Sequence, residues 1–236
     1  MSEFNVELPF HATVRLRPRS RLAPGAEPPQ VILESVAFVA QPKQFKLDSD
    51  SISQRAKQVH TDLYTKHCDS FSRVSAEMAS ALGKGDYNKL LASAKLASAE
   101  HNSVWLHELF FSNCFCRNSQ LTMSSMAYAR LARDFGSFDD WQRDFISRQQ
   151  IAKNGWIVTV FSFFLQRYVT MCIAGDDAMT LLGAYPIIVM DCHEHSYVTD
   201  FGNDRLKYVE AMMRELDWTI INERLARVEA MQREQR

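Results

Sequence analysis

The sequence predicts an α+β protein: a hairpin of two long antiparallel helices, then an α/β unit with a three-stranded antiparallel sheet. Three observations carry that expectation. Residues 51–82 and about 87–115 run without proline or glycine, with apolar residues at roughly helical spacing, and "GKGD" parts them. Three runs rich in β-branched and aromatic residues follow, "GWIVTVFSFF", "RYVTMCIA" and "YPIIVMD". Those strand runs come together instead of alternating with helices, which marks α+β over a wound α/β plan.

The first fifty residues stand apart. They hold Pro9, Pro18, Pro24, Pro28, Pro29 and Pro42, leaving Pro186 as the remaining proline of the chain. That density forbids long helices. Short alternating runs, "ATVRLR" and "VILESVAFVA", read as strands joined by the "APGAEPP" turn. The expected organisation is therefore an extension over 1–50, a helical hairpin over 51–120 and an α+β unit over 121–236.

In the first long helix the apolar positions are Ala56, Val59, Leu63, Phe71, Val74 and Met78. In the second they include Leu90, Leu91, Ala94, Ala97, Val104 and Leu106. A short connection makes the two an antiparallel pair. Residues 124–135 and 138–150 read as two further helices around "FGS", with Ser137 placed to cap the second. After the strands, parted by turn signals at Gly175–Asp177 and Gly183, helices are expected near 203–214 and 217–232.

Composition narrows the function little. Lys plus Arg number 27 against 28 Asp plus Glu, so net charge neither favours nor excludes nucleic acid. Charge is uneven locally: Arg15, Arg17, Arg19 and Arg21 alternate in "RLRPRSR", with no acid before Glu27. These four are candidate phosphate contacts on nucleic acid, or guards on a solvated edge strand. The five cysteines lack the even count and spacing of a disulfide framework and read as free thiols. No apolar run reaches membrane-spanning length. The first ten residues lack the layout of a secretory signal, which leaves the cytosol or an organelle entered by an atypical signal.

Chemistry concentrates in "VMDCHEHSYVTDF", where Asp191, Cys192, His193, Glu194 and His195 are consecutive. A continuing strand would put Asp191, His193 and His195 on one face. A turn after Asp191 would bring Asp191 to His195 instead. Spacing leaves both open. His60 sits beside the apolar face of the first long helix, and His107 lies near the end of the second in "WLHELFF". Three imidazoles and one carboxylate from a helix hairpin and a strand end suit iron, manganese or zinc.

Those residues carry a family likeness. "PIIVMDCHEHSY" is similar to the metal signature of iron/manganese superoxide dismutases, D-x-x-x-H within D-x-W-E-H-A-Y after a proline-led strand. "HELFF" resembles the family's H-x-x-F-W, "ARLARDFGSFDDWQRDF" its helix–FGS–helix segment, and "NGWIVTV" its Gly-Trp strand. "QVHTDLYTKH" is similar to the helix bearing the first ligand histidine, and "DFGNDRLKYVEAMMRELDWTIINER" to the family's C-terminal run. The likeness covers about residues 52–228, in the family's order.

The resemblance implies ligands His60, His107, Asp191 and His195, one iron or manganese ion per chain, and Glu194 as a bridge to a dismutase-like partner in a homo- or heterodimer. It also exposes departures. Tyr64 and Cys68 stand where the family has its gateway histidine and tyrosine. Sliding the alignment to use His67 would put Leu63 at a ligand position. His193 replaces the tryptophan of D-x-W-E-H, Val198 a tyrosine, and Val158 the second tryptophan of G-W-x-W. Ser103 and Asp176 align with the two places that supply the family's glutamine. Loss of groups that hydrogen-bond the metal's water and deliver protons implies lost turnover. The expected function is thus a dismutase-like pseudoenzyme: a structural subunit, with no catalytic residue assigned, of the mitochondrial ribosome small subunit beside ribosomal proteins and rRNA. The alternative is an active iron/manganese superoxide dismutase.

Overall fold

A computed structural model describes residues 5–7, 13–15, 37–116, 119–174 and 183–234. Near the N-terminus, β1 (Asn5–Glu7) pairs antiparallel with β2 (Thr13–Arg15). Arg17, Arg19, Arg21, most of "VILESVAFVA", the "APGAEPP" turn and Asp176 lie outside the described residues. The strand expected to run on through residues 37–40 is absent. That segment instead follows the first long helix, whose side-chain hydroxyls take its amides. Phe38 N donates to Ser75 Oγ at 2.7 Å, Ala40 N to Ser72 Oγ at 2.9 Å and Lys43 N to Tyr64 OH at 3.0 Å. A backbone whose donors are met by a helix surface has no need of a neighbouring strand.

Helices α1 (Gln54–Lys84) and α2 (Tyr87–Asn113) form the expected hairpin. Ser53 caps α1 by accepting from Ala56 N, and Gly85 ends it at φ 67, a left-handed conformation that glycine adopts without a Cβ clash. Asp86 then caps α2 through Lys89 N. The buried stripe of α1 includes Ala56, His60, Tyr64 and Cys68 at a spacing of four. Val59 and Leu63, apolar by type, are only half-buried. The helix therefore turns polar side chains inward, and each needs a partner there.

Helices α3 (Met126–Phe135) and α4 (Phe138–Ser147) flank Gly136, and Ser137 Oγ accepts from Asp140 N, the cap expected of that serine. A single 3-10 turn, Arg148–Gln150, leads into the sheet. Strands β3 (Gly155–Ser162), β4 (Arg167–Ala174) and β5 (Ala184–Asp191) are all antiparallel in the order β4-β3-β5. Central β3 is buried at every position, so its sequence is mostly apolar, with Thr159 and Ser162 as buried polar exceptions. Two helices close the chain, α6 (Arg205–Met213) and α7 (Trp218–Glu234). Between β5 and α6 lies α5 (Glu194–Phe201), which the sequence patterns do not announce. No described helix is long and apolar enough to cross a membrane.

Two polar anchors fix the hairpin to the sheet. Asn113, at the end of α2, accepts from Val189 N at 2.8 Å and donates to Val189 O at 3.0 Å. Arg224 of α7 is buried and donates to Asn113 Oδ1, Ile187 O, Leu109 O and Ser112 Oγ. Burial lowers its guanidinium to about 10, leaving it charged at neutral pH. These bonds hold the end of α2 at the C-terminal half of β5, where the chemistry-bearing residues sit.

Candidate metal centre

Four elements converge at the end of β5. Asp191 is its last residue, paired in register with Trp156 of β3, and Cys192 N closes on Gly155 O at 2.8 Å. The chain then turns, because Asp191 Oδ1 accepts the backbone N–H of His193 at 3.0 Å. An aspartate that captures the amide two residues on makes a turn of its own. His193 becomes the residue preceding α5, and His195 enters its first turn. Of the two open readings of "DCHEH", the turn holds and the continuing strand does not, since β5 ends at Asp191. Asp191 Oδ2 meets His195 Nε2 at 3.0 Å, as the turn requires, while His193 also reaches the carboxylate, Nδ1 to Oδ1 at 2.7 Å. Cys192 is buried away from this group, and Glu194 is exposed.

The helical hairpin supplies the remaining two imidazoles. His60 Nε2 lies 3.5 Å from Asp191 Oδ2, and His107 Nε2 lies 3.7 Å from the same oxygen. His60, Asp191 and His195 have donor atoms all within 4.8 Å of one another. His107 Nδ1 is 2.7 Å from Ser103 O. A carbonyl only accepts, so the Nδ1 carries the proton and Nε2 presents its lone pair toward Asp191. Burial lowers His107 to about 3, against the nearby Asp191 charge, so it is neutral at pH 7. Burial alone would push Asp191 up. The charge on His195 and hydrogen bonds from His193, His195 and His60 outweigh it and hold the carboxyl well below its ordinary range.

This donor set fits a cation. Donor atoms about 2.1 Å from one ion, at angles of about 90° to 120°, stand roughly 3.0–3.6 Å apart. The distances from His195 and His60, 3.0 and 3.5 Å, lie within that spacing; His107, at 3.7 Å, stands just outside it and is not among the donor atoms that all lie within 4.8 Å of one another. His107 Nε2 and His60 Nδ1 are buried with no hydrogen-bond partner. An orphaned buried lone pair is costly unless something binds it, and the His107 atom points at the carboxylate. The walls are dry: Trp156 sets its edge on His107 at 4.9 Å between ring centroids, and Phe110 and Phe111 lie 5.5 and 6.1 Å from His60.

The model for iron/manganese superoxide dismutases, C-terminal domain, matches residues 123–224. A 26% identity over 170 residues links the chain to superoxide dismutase [Mn] 2 of Halobacterium salinarum, covering 71% of this chain and 83% of that one. Over its C-terminal part, residues 123–224, the chain is similar to iron/manganese superoxide dismutases. Superoxide dismutase [Fe] of Cupriavidus metallidurans is 33% identical over 119 residues, 50% of this chain and 58% of its own length. Superoxide dismutase [Mn] 1 of Halobacterium salinarum is 30% identical over 131 residues, 55% and 64% respectively. These last two matches span less than two thirds of each relative.

The residues at the positions where the resemblance expects gateway groups are both buried. Tyr64 is buried, accepts from Lys43 N and donates to Glu108 Oε1 at 2.9 Å. Burial foremost, with the Glu108 contacts, pushes its phenol far up. Cys68 is fully buried, and burial raises its thiol. Ser103 is buried on α2 and Val158 on β3, while Val198 is exposed on α5. Two neighbours escaped the sequence reading as site residues. Ser196 Oγ lies 3.1 Å from His60 Nε2, where the family pattern has alanine after the ligand histidine. His67 packs its ring 5.5 Å from His107 and binds Glu100 Oε2 through Nδ1 at 2.7 Å. The seven-residue step from His60 to His67 on one helix was the available signal.

Proposed function

We propose that His60, His107, Asp191 and His195 hold one iron or manganese ion per chain, and that this protein serves a structural role in place of rapid dismutation. The observation behind the metal assignment is the approach of three imidazole Nε2 atoms to one buried carboxylate oxygen, at 3.0, 3.5 and 3.7 Å. Iron or manganese, when bound, supplies a one-electron couple to superoxide. The chain's own part is positional. Ser103 O orients His107, β5 and the turn at His193 present Asp191, and Phe110, Phe111 and Trp156 keep out bulk water.

The loss of turnover rests on Tyr64 and Cys68. A group that delivers protons must hold a proton it can release near the working pH. Both side chains are buried with their acidities suppressed, and Tyr64 already spends its hydroxyl proton on Glu108. The assembly we favour is a dimer bridged by exposed Glu194 to the partner's metal-site histidine, within the small subunit of the mitochondrial ribosome, where Arg15, Arg17, Arg19 and Arg21 would meet rRNA phosphates. That assignment stands on fold-level analogy and the arginine spacing. It carries a mitochondrial location; a free dimer would be cytoplasmic.

The second reading, an active iron/manganese superoxide dismutase, is favoured by the complete donor set. Metal content and dismutase activity measured on one purified sample separate the two. Bound iron or manganese with activity far below the family's supports the structural role, and full activity per ion establishes the enzyme. Co-sedimentation with ribosomal particles, lost when the four arginines become alanine, is the expected result for the ribosomal assembly; a free dimer alone would sink it.

A further inference from the structure

The two oxygens of Asp191 are divided between different partners. Oδ2 faces His60, His107 and His195. Oδ1 accepts twice from one residue, the backbone N–H of His193 at 3.0 Å and its ring Nδ1 at 2.7 Å. The His193 ring is itself clamped. It stacks on His195 at 5.2 Å with 16° between planes, and Trp156 meets it at 5.4 Å and 74°. A ring fixed on two sides holds its N–H in one direction, and the carboxylate plane follows.

We infer that His193 is a positioning residue that fixes Asp191 as a one-oxygen ligand, turning Oδ2 toward the ion and occupying Oδ1. This rests on the metal-site reading above. With both acceptor directions of Oδ1 filled, a cation would be offered Oδ2 alone. The family pattern has tryptophan at this place, so the contact is a property of this chain. A hydrogen bond to the carboxylate also draws negative charge away from the ion, which favours its reduced form. Lost partners of this kind weaken metal binding by roughly 10–100-fold.

The test uses the full-length chain, reconstituted separately with manganese(II) and iron(II), and reads metal per chain and its dissociation into a chelator. H193F keeps an aromatic ring against His195 and Trp156 but has no N–H; H193N offers an amide N–H near the place of Nδ1. H193F is expected to bind metal about 10–100-fold more weakly, and H193N to recover most of that loss. The midpoint potential of loaded H193F should fall below the wild-type value. Equal affinity in H193F and wild type overturns the inference, as does an H193N no better than H193F. A wild-type chain that takes up neither metal overturns the metal-site reading and this inference with it. Imidazole nitrogen-15 spectra of the metal-free wild type give a readout that needs no variant: a proton on His193 Nδ1 is expected, and its absence refutes the positioning role.

Discussion

His107 Nδ1 donates to the carbonyl oxygen of Ser103 one turn earlier in α2, at 2.7 Å. That single bond decides the tautomer, and the tautomer decides that Nε2 is an unpartnered lone pair beside Asp191. His107→Leu should therefore act in opposite directions on two measurements. Metal affinity should fall by more than about 100-fold, since losing a ligand costs more than losing a ligand's support. The metal-free chain should keep or gain stability, by up to about 1 kcal/mol, because a buried unsatisfied nitrogen is replaced by an apolar group. Chelator competition checks the first and urea unfolding in a metal-free buffer the second.

Ser196 competes for His60. Its hydroxyl lies 3.1 Å from the nitrogen that faces Asp191. Ser196→Ala removes the competitor and returns the alanine of the family pattern. Metal affinity should rise by about 5–10-fold, the worth of one ordinary hydrogen bond. An unchanged dissociation constant would show that the hydroxyl swings away when metal binds.

Arg224 is the joint between helices and sheet. Arg224→Leu leaves Ile187 O, Leu109 O and Asn113 Oδ1 short of a buried donor. A loss of about 3–5 kcal/mol is expected, as for one partner removed from a buried charged network. Thermal unfolding should register it, whereas exposed Arg227→Leu should shift stability by less than about 0.5 kcal/mol.

Asp134 gives the fold a pH-dependent contribution away from the metal centre. It accepts from Arg133 and from Tyr168 N at 2.7 Å, joining the end of α3 to β4. Burial alone would raise its carboxyl, but these bonds and the charges of Arg133 and Arg167 outweigh it and hold the carboxyl below the usual range. Its stabilisation is therefore full above the unfolded value of about 3.9. It is lost as pH falls through the lower folded value. Asp134→Asn should cost about 1–2 kcal/mol at pH 7 and progressively less below about pH 4. A pH-independent difference would contradict this.

The long helices, the Ser137 cap of α4 and the three strands are legible because each rests on local chemistry: proline-free runs, a serine before an apolar turn, β-branched clusters. Helix α5 is not, since it begins where Asp191 Oδ1 captures an amide, an event hidden in a run that reads equally well as strand. The buried stripe of α1 was misjudged for a related reason. His60, Tyr64 and Cys68 are polar or weakly apolar by type, and partners such as Ser196 on α5 for His60 and Glu108 on α2 for Tyr64 make that burial tolerable. The four donor residues emerged from family likeness and residue chemistry. Ser196 and His67 did not, because their roles depend on distances across elements far apart in sequence.

The most direct measurement is dismutase activity per bound ion, with the reconstituted full-length chain assayed beside superoxide dismutase [Mn] 2 of Halobacterium salinarum. The account expects iron or manganese in the chain and activity per ion at least about 100-fold lower, from the combined changes at Tyr64, Cys68 and Ser103. Activity per ion equal to that of the relative would contradict it.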